Sequence, residues 1–197
     1  MLNINLPPWL DSVAGAEQQC FADPVARMAF VIDLAHRNVR EGTGGPFAAA
    51  VFELISHRLV AVGVNLVAYT GLGVSHAEVL ALSLAQQSLG TFDLGAPRLP
   101  GYELVCSCEP CLMCLGAVMW SGVRRLSCAA RDEDAHAIGF DEGPKPQDWT
   151  LALQQRGIDV VRDLLREQSC AVLALYQQRG GMIYNPTHAG SSPGMRR

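Results

Sequence analysis

An α/β fold, three layers with helices on both faces of a five-stranded mixed sheet, is what this sequence predicts, and three observations carry it. Short apolar or β-branched runs alternate with segments of helical period, an order that sets helices above and below a largely parallel sheet. The 197 residues suffice for one ordinary domain with a sizeable core, and two independent domains would be cramped. Hydrophobic residues make up 49% of the chain and charged residues 17%, which is too apolar and too weakly charged for disorder. A single unit over residues 1–197 is the expectation.

The elements follow in order. Asp23-Pro24 reads as an N-cap and a first-turn proline, and Met28, Ile32, Ala35 and Val39 recur at helical spacing, so a helix over 23–41 is expected before Gly42. Gly44-Gly45-Pro46 breaks it. The runs 47–54 and 59–64 flank the turn Ile55-Ser56-His57-Arg58 and make a hairpin. A glycine-rich loop leads to Ser75 and a helix over 77–89 that Gly90 ends. Residues 102–107 are strand-like, Pro110 opens a helix through Trp120 that Gly122 closes, and 123–129 is another strand, which completes a βαβ unit. A short helix over 132–138, a fifth strand over 158–161 and an amphipathic helix over 164–179 follow. After Gly180-Gly181 the tail is turn-rich, at Asn185-Pro186 and Gly190-Ser191-Ser192-Pro193-Gly194, and is expected to lie along a surface or a partner.

Charge narrows the function. Fifteen Lys+Arg against nineteen Asp+Glu give a net charge of −4, without the basic excess that neutralising a polynucleotide backbone demands. Seven cysteines cannot all pair, and Cys106, Cys108, Cys111 and Cys114 crowd into nine positions, which suits a metal site in a reducing cytoplasm better than a disulfide framework. The first residues lack a basic n-region and an apolar h-region, and no apolar run approaches the roughly 20 residues of a membrane span. An unexported protein with no membrane partner is expected.

Two segments carry chemistry. His76-Ala77-Glu78 and Pro110-Cys111-Leu112-Met113-Cys114 each stand at a loop-to-helix junction, so two helix N-termini can point at one spot above the sheet. Cys111 and Cys114 share a helix face, where the positive end of the dipole favours thiolates. With His76 they make three zinc ligands and leave the fourth tetrahedral position open, the mark of a catalytic rather than a structural zinc. Glu78 then stands beside the site as an acid/base without coordinating, and one Zn²⁺ per chain would supply hydroxide near neutral pH. H-x-E with P-C-x-x-C is the zinc deaminase signature. Two plainer readings compete. Ser75-x-x-Glu78 also satisfies a capping box, and the four clustered cysteines would form a metal-stabilised, non-enzymatic binding module, although their spacing fits neither ferredoxin pattern. Cys20, Cys128 and Cys170 read as core residues, and His36, His57, His136 and His188 as surface or satisfied histidines. Met113, Met119 and Trp120 read as helix packing, Trp120 also as a pocket wall.

At these residues the chain resembles the cytidine deaminase-like superfamily, from about residue 23 to 149, and within it looks most like the guanine deaminases. His76 in place of cysteine separates it from small cytidine deaminases, and the short Cys111 to Cys114 spacing from riboflavin-pathway deaminases. tRNA adenosine deaminases share segments like GGPFAAAVF, HAE and PCLMCLGA, and acting on tRNA is the alternative function. The stretch from Ala129 to Glu142, AARDEDAHAIGFDE, is similar to the guanine deaminases. The resemblance implies conversion of guanine to xanthine and ammonia, with small aminotriazines as further substrates. It also implies the ring stacked near Phe47, Asn65 on its polar edge, the Ala77 amide on a ring carbonyl, and walls from Trp120 and Phe140. Glu142, where the family often has aspartate, would accept from the guanine N1–H and amino side and assist Glu78. Bacterial guanine deaminases also imply a homodimer with exchanged C-terminal segments, residues 180–197 here, in which Tyr184 closes the partner's site.

Overall fold

The computed structural model describes residues 4–10, 13 and 19–186; His188 and the turns at 190–194 lie outside them. After a 3₁₀ turn at Pro8–Leu10, α1 spans Pro24–Arg40, and the Asp23 carboxylate accepts from the Val25 N–H at 2.9 Å as its N-cap. β1 (Ala48–Glu53) and β2 (Leu59–Val64) form the hairpin. A single turn, α2 (Val67–Thr70), precedes α3 (Ala77–Leu89), which ends at Gly90 with φ 65°. β3 (Tyr102–Cys108), α4 (Leu112–Ser121) and β4 (Arg125–Ala130) follow, then α5 (Asp132–Ala137), α6 (Trp149–Gln154), β5 (Asp159–Val161) and α7 (Arg166–Gln178). Glycine supplies the left-handed conformation after α4 as well, at Gly122 with φ 84°.

The sheet order is β2-β1-β3-β4-β5. β3, β4 and β5 run parallel and β1 pairs antiparallel with both β2 and β3, so the sheet is five-stranded and mixed as expected, though less parallel than the alternation of elements implied. The reason is topological. β2, α3 and β3 form a crossover whose strands run the same way, and β1 lies between those strands, so it opposes both. Residues alternate between the faces as strand geometry requires. Ala48, Ala50 and Phe52 pack under α1 and α7 with Met28, Val31 and Leu173, whereas Ala49 and Val51 pack under α3, α4 and α6 with Ala81, Leu115 and Leu153. Of the three cysteines expected in the core, only Cys128 is buried. Cys20 is exposed beside the hairpin, its thiol donating to the Ser56 carbonyl at 3.1 Å, and Cys170 is half-buried on α7.

One glycine sets where α3 begins. A Cβ on Gly63 in β2 would stand 2.2 Å from the Ala77 carbonyl and 2.6 Å from the Ala81 nitrogen, both helix backbone that cannot rotate away. The bare backbone therefore lets the first turn of α3, with His76 and Glu78, lie directly on the sheet. Gly63→Ala is expected to cost about 1–3 kcal/mol of stability by overpacking, a loss of several degrees in Tm, and to lower metal occupancy because His76 moves with the helix. Calorimetry and zinc content check it.

Candidate active site

α3 and α4 start at the same end of the sheet, beyond the carboxyl ends of the parallel strands β2 and β3, the usual place for a ligand in an α/β sheet. His76 is the N-cap of α3 and Cys111 the N-cap of α4, yet neither side chain caps its own helix. Both turn toward each other instead. The Cys111 and Cys114 Sγ atoms each lie 3.5 Å from His76 Nδ1, and the three ligand atoms are all within 4.8 Å of one another. Zn–S bonds of about 2.3 Å and Zn–N bonds of about 2.0–2.1 Å at tetrahedral angles would separate sulfur from nitrogen by about 3.5 Å. The spacing thus fits one zinc ion.

Both competing readings fail on geometry. Ser75 is not the N-cap of α3; its hydroxyl accepts from Thr70 Oγ1 at 3.1 Å, and no side chain caps the helix. Cys106 and Cys108 lie buried within β3, with Cys106 opposite Cys128 of β4, and neither belongs to the group whose ligand atoms lie within 4.8 Å of one another. Among the described residues, His76, Cys111 and Cys114 are the one group spaced to hold a metal.

The charges around the cluster favour a dication. The hydrogen bond from Cys114 and then that from His76 hold the Cys111 thiol down at about 4, whereas Cys114, as donor to Cys111 and buried beside Glu78, is pushed up. Burial lowers the His76 imidazole, but its bond to Cys111 and the nearby Glu78 carboxylate raise it on balance. Glu78 is fully inside the site, raised to about 6 by burial and then by the Cys111 charge. Glu142 is raised to about 8 by burial, Cys111 and Glu78. Two sulfurs and two carboxylates sharing so little solvent call for positive charge at their centre.

A cavity of about 610 Å³ opens onto the cluster. Phe47 and Phe140 wall it, with ring centroids 5.0 Å apart and edge to face, and Asn65, Glu78, Glu142 and Tyr184 line it. Asn65 is buried, and its side-chain oxygen accepts from the Val67 N–H at 3.3 Å, so it is a turn-former at a strand end and a cavity residue together. Glu142 is buried rather than a solvated loop carboxylate, and its backbone carbonyl accepts from the Leu112 N–H at 2.9 Å. Ala77 sends its side chain into the core, which leaves only its first-turn amide for the site.

One expectation is corrected. Trp120 does not wall this cavity: it sits at the far end of α4, 89% exposed, because the α4 face that packs on the sheet carries Cys114, Leu115 and Val118. Within the single chain, Tyr184 lies at the cavity's own mouth. The chain turns back at Gly180, the Tyr176 hydroxyl donates to the Met182 carbonyl at 2.6 Å, and Asn185 both donates to the Gly139 carbonyl and accepts from the Asp141 N–H at 2.9 Å. The Tyr184 ring then lies 4.9 Å from Phe140 and 6.3 Å from His76. His36 and His57 are half-buried and His136 is exposed, accepting from the Glu142 N–H at 3.4 Å; none joins the ligand cluster. The tether Asn185 and the lining residue Glu109 were missed. Glu109, directly before Pro110-Cys111, was legible as a carboxylate beside the ligands, whereas nothing local marks Asn185.

The fold and the ligand cluster define an α/β protein with a candidate metal site, and the chain belongs to the family described as the cytidine and deoxycytidylate deaminase zinc-binding region, matched over residues 24–130. More particular likenesses follow. A solved structure of guanine deaminase from Nitrosomonas europaea is 51% identical with a TM-score of 0.85, covering 90% of this chain and 97% of that one. Another, of a protein in complex with 2,6-diaminopurine, is 52% identical with a TM-score of 0.86, covering 93% and 96%. The guanine deaminase of Bacillus subtilis (strain 168) is 37% identical over 111 residues, 56% of this chain and 67% of its own length.

Proposed function

We propose that this protein is a zinc-dependent hydrolytic deaminase of free guanine, which takes up water and releases xanthine and ammonia. The observation that carries the reading is the pair of buried carboxylates, Glu78 against the His/Cys/Cys cluster and Glu142 in the same aromatic-walled cavity. The likeness to guanine deaminases and to a structure holding 2,6-diaminopurine supports the substrate.

His76, Cys111 and Cys114 would hold zinc, which supplies a Lewis acid and brings water toward deprotonation near neutral pH. Glu78 is placed to take a proton from the attacking water, pass it to a ring nitrogen and return one to the departing amine. Phe47 and Phe140 offer faces for a flat ring, and Tyr184 covers it. Glu142 accepts from the ring N–H and the amino group of guanine, donors that a buried carboxylate otherwise lacks, and assists at the amine. The Asn65 amide and the Ala77 N–H serve the ring's other polar atoms. Adenine presents no such pair of donors and would leave Glu142 unpaired.

The test is ammonia release from guanine, adenine, cytosine, an aminotriazine and adenosine in a tRNA hairpin. Guanine is expected to turn over, with adenine slower by about 10²-fold or more. Turnover of the hairpin alone would replace this reading with action on tRNA.

A further inference from the structure

Lys145 is the single lysine among the chain's fifteen lysines and arginines, and it is buried beside the site, its side chain 5% exposed. Its ammonium meets Asp132 at 2.6 Å, the Pro110 carbonyl at 3.0 Å and Glu109 at 3.7 Å, and lies 4.4 Å from the centroid of the Trp149 ring. Glu109 is further held by Arg162, two of whose nitrogens reach it at 2.6 Å, and accepts from the Asp132 N–H at 3.3 Å. A compact ammonium with three donors fits this convergence, which the planar fork of arginine would not.

What the ammonium joins is more informative than how it is paired. Pro110 immediately precedes the ligand Cys111. Lys145 closes the loop that carries Glu142, with its own N–H on the Gly143 carbonyl at 2.8 Å. The two loops already touch once, at the bond between the Leu112 N–H and the Glu142 carbonyl. Lys145 adds a second clamp on the other side of Cys111, so the segment bearing Cys111 and the segment bearing Glu142 cannot shift independently.

We propose that Lys145 is a positioning residue that fixes the Cys111 segment against the Glu142 segment, setting the hold on the metal and the placement of the substrate-reading carboxylate. Its effect on the metal stands on the geometry alone; its effect on guanine rests on the proposed function. Outer-shell partners of this kind are worth about 10–100-fold in metal affinity or activity. Lys145→Met keeps the length and removes the charge. With folding checked by cooperative melting and with zinc loaded to one per chain, the variant is expected to release zinc to a chelator about tenfold faster or more. It is also expected to raise KM for guanine about tenfold while kcat changes far less. In a double-mutant cycle the rise in KM vanishes when Glu142→Gln is already present. Zinc release and KM both within twofold of the parent would overturn the proposal, as would a KM rise of equal size in both backgrounds. Asp132→Asn enters the same measurements, with the same expectations, if Lys145→Met does not fold. A parent chain that leaves guanine unchanged sinks the guanine reading, and zinc release then decides the role of Lys145.

Discussion

Replacing Glu78 by Gln is expected to cut guanine turnover by about 10²–10⁴-fold, the range for losing a positioned acid/base, while zinc stays bound. Glu78 lies outside the group of atoms spaced to ligate, in the first turn of α3 two residues from His76, and its carboxylate lines the cavity. Gln keeps the volume and a hydrogen-bonding oxygen but cannot carry a proton. Zinc content at one per chain with turnover near the parent's would remove Glu78 from the chemistry. Loss of zinc together with turnover would make it a ligand instead.

The second large effect concerns the metal. His76→Ala deletes one of three ligands and is expected to weaken zinc binding well beyond the 10–100-fold typical of an outer-shell loss, abolishing turnover with it. Cys106→Ser, in the middle of β3, is expected to leave one zinc per chain, since its thiol faces the apolar layer under α3 and α4. The reverse pattern, zinc lost by Cys106→Ser and kept by His76→Ala, would restore the four-cysteine site. Metal analysis of both purified variants decides between them.

Much of this was legible because local rules agreed with the fold. Asp23-Pro24, Gly90 and Gly122 punctuate helices for reasons internal to a few residues, and the boundaries they predict fall within a residue or two of α1, α3 and α4. The ligands were legible because histidine and the Cys111/Cys114 pair sit where helices begin. Single-turn elements such as α2 and the six-residue α6 were missed, being too short for a helical period to show. Strand direction between β1 and β3 was not readable either, because it depends on which strand the α3 crossover passes. Trp120 was misplaced for a related reason: α4 is apolar nearly all round, so its sequence does not say which face meets the sheet. Tyr184 and Glu142 owe their places to contacts across the chain, the Asn185 tether and the Leu112 amide, which no window of sequence contains.

The Lys145 clamp extends the same point to energetics. Lys145, Glu109 and Asp132 look like ordinary surface charges in sequence, and only the fold brings them together behind the ligand loop, where each buried charge has a partner. No helix among the described residues is long and apolar enough to cross a membrane.

Zinc-edge X-ray absorption of the metal-replete protein reads the ligand set of His76, Cys111 and Cys114 itself. Two sulfurs at about 2.3 Å with two nitrogen or oxygen neighbours at about 2.0–2.1 Å, one of them lost on His76→Ala, are expected. A shell of four sulfurs, or a spectrum indifferent to His76, would contradict that ligand set.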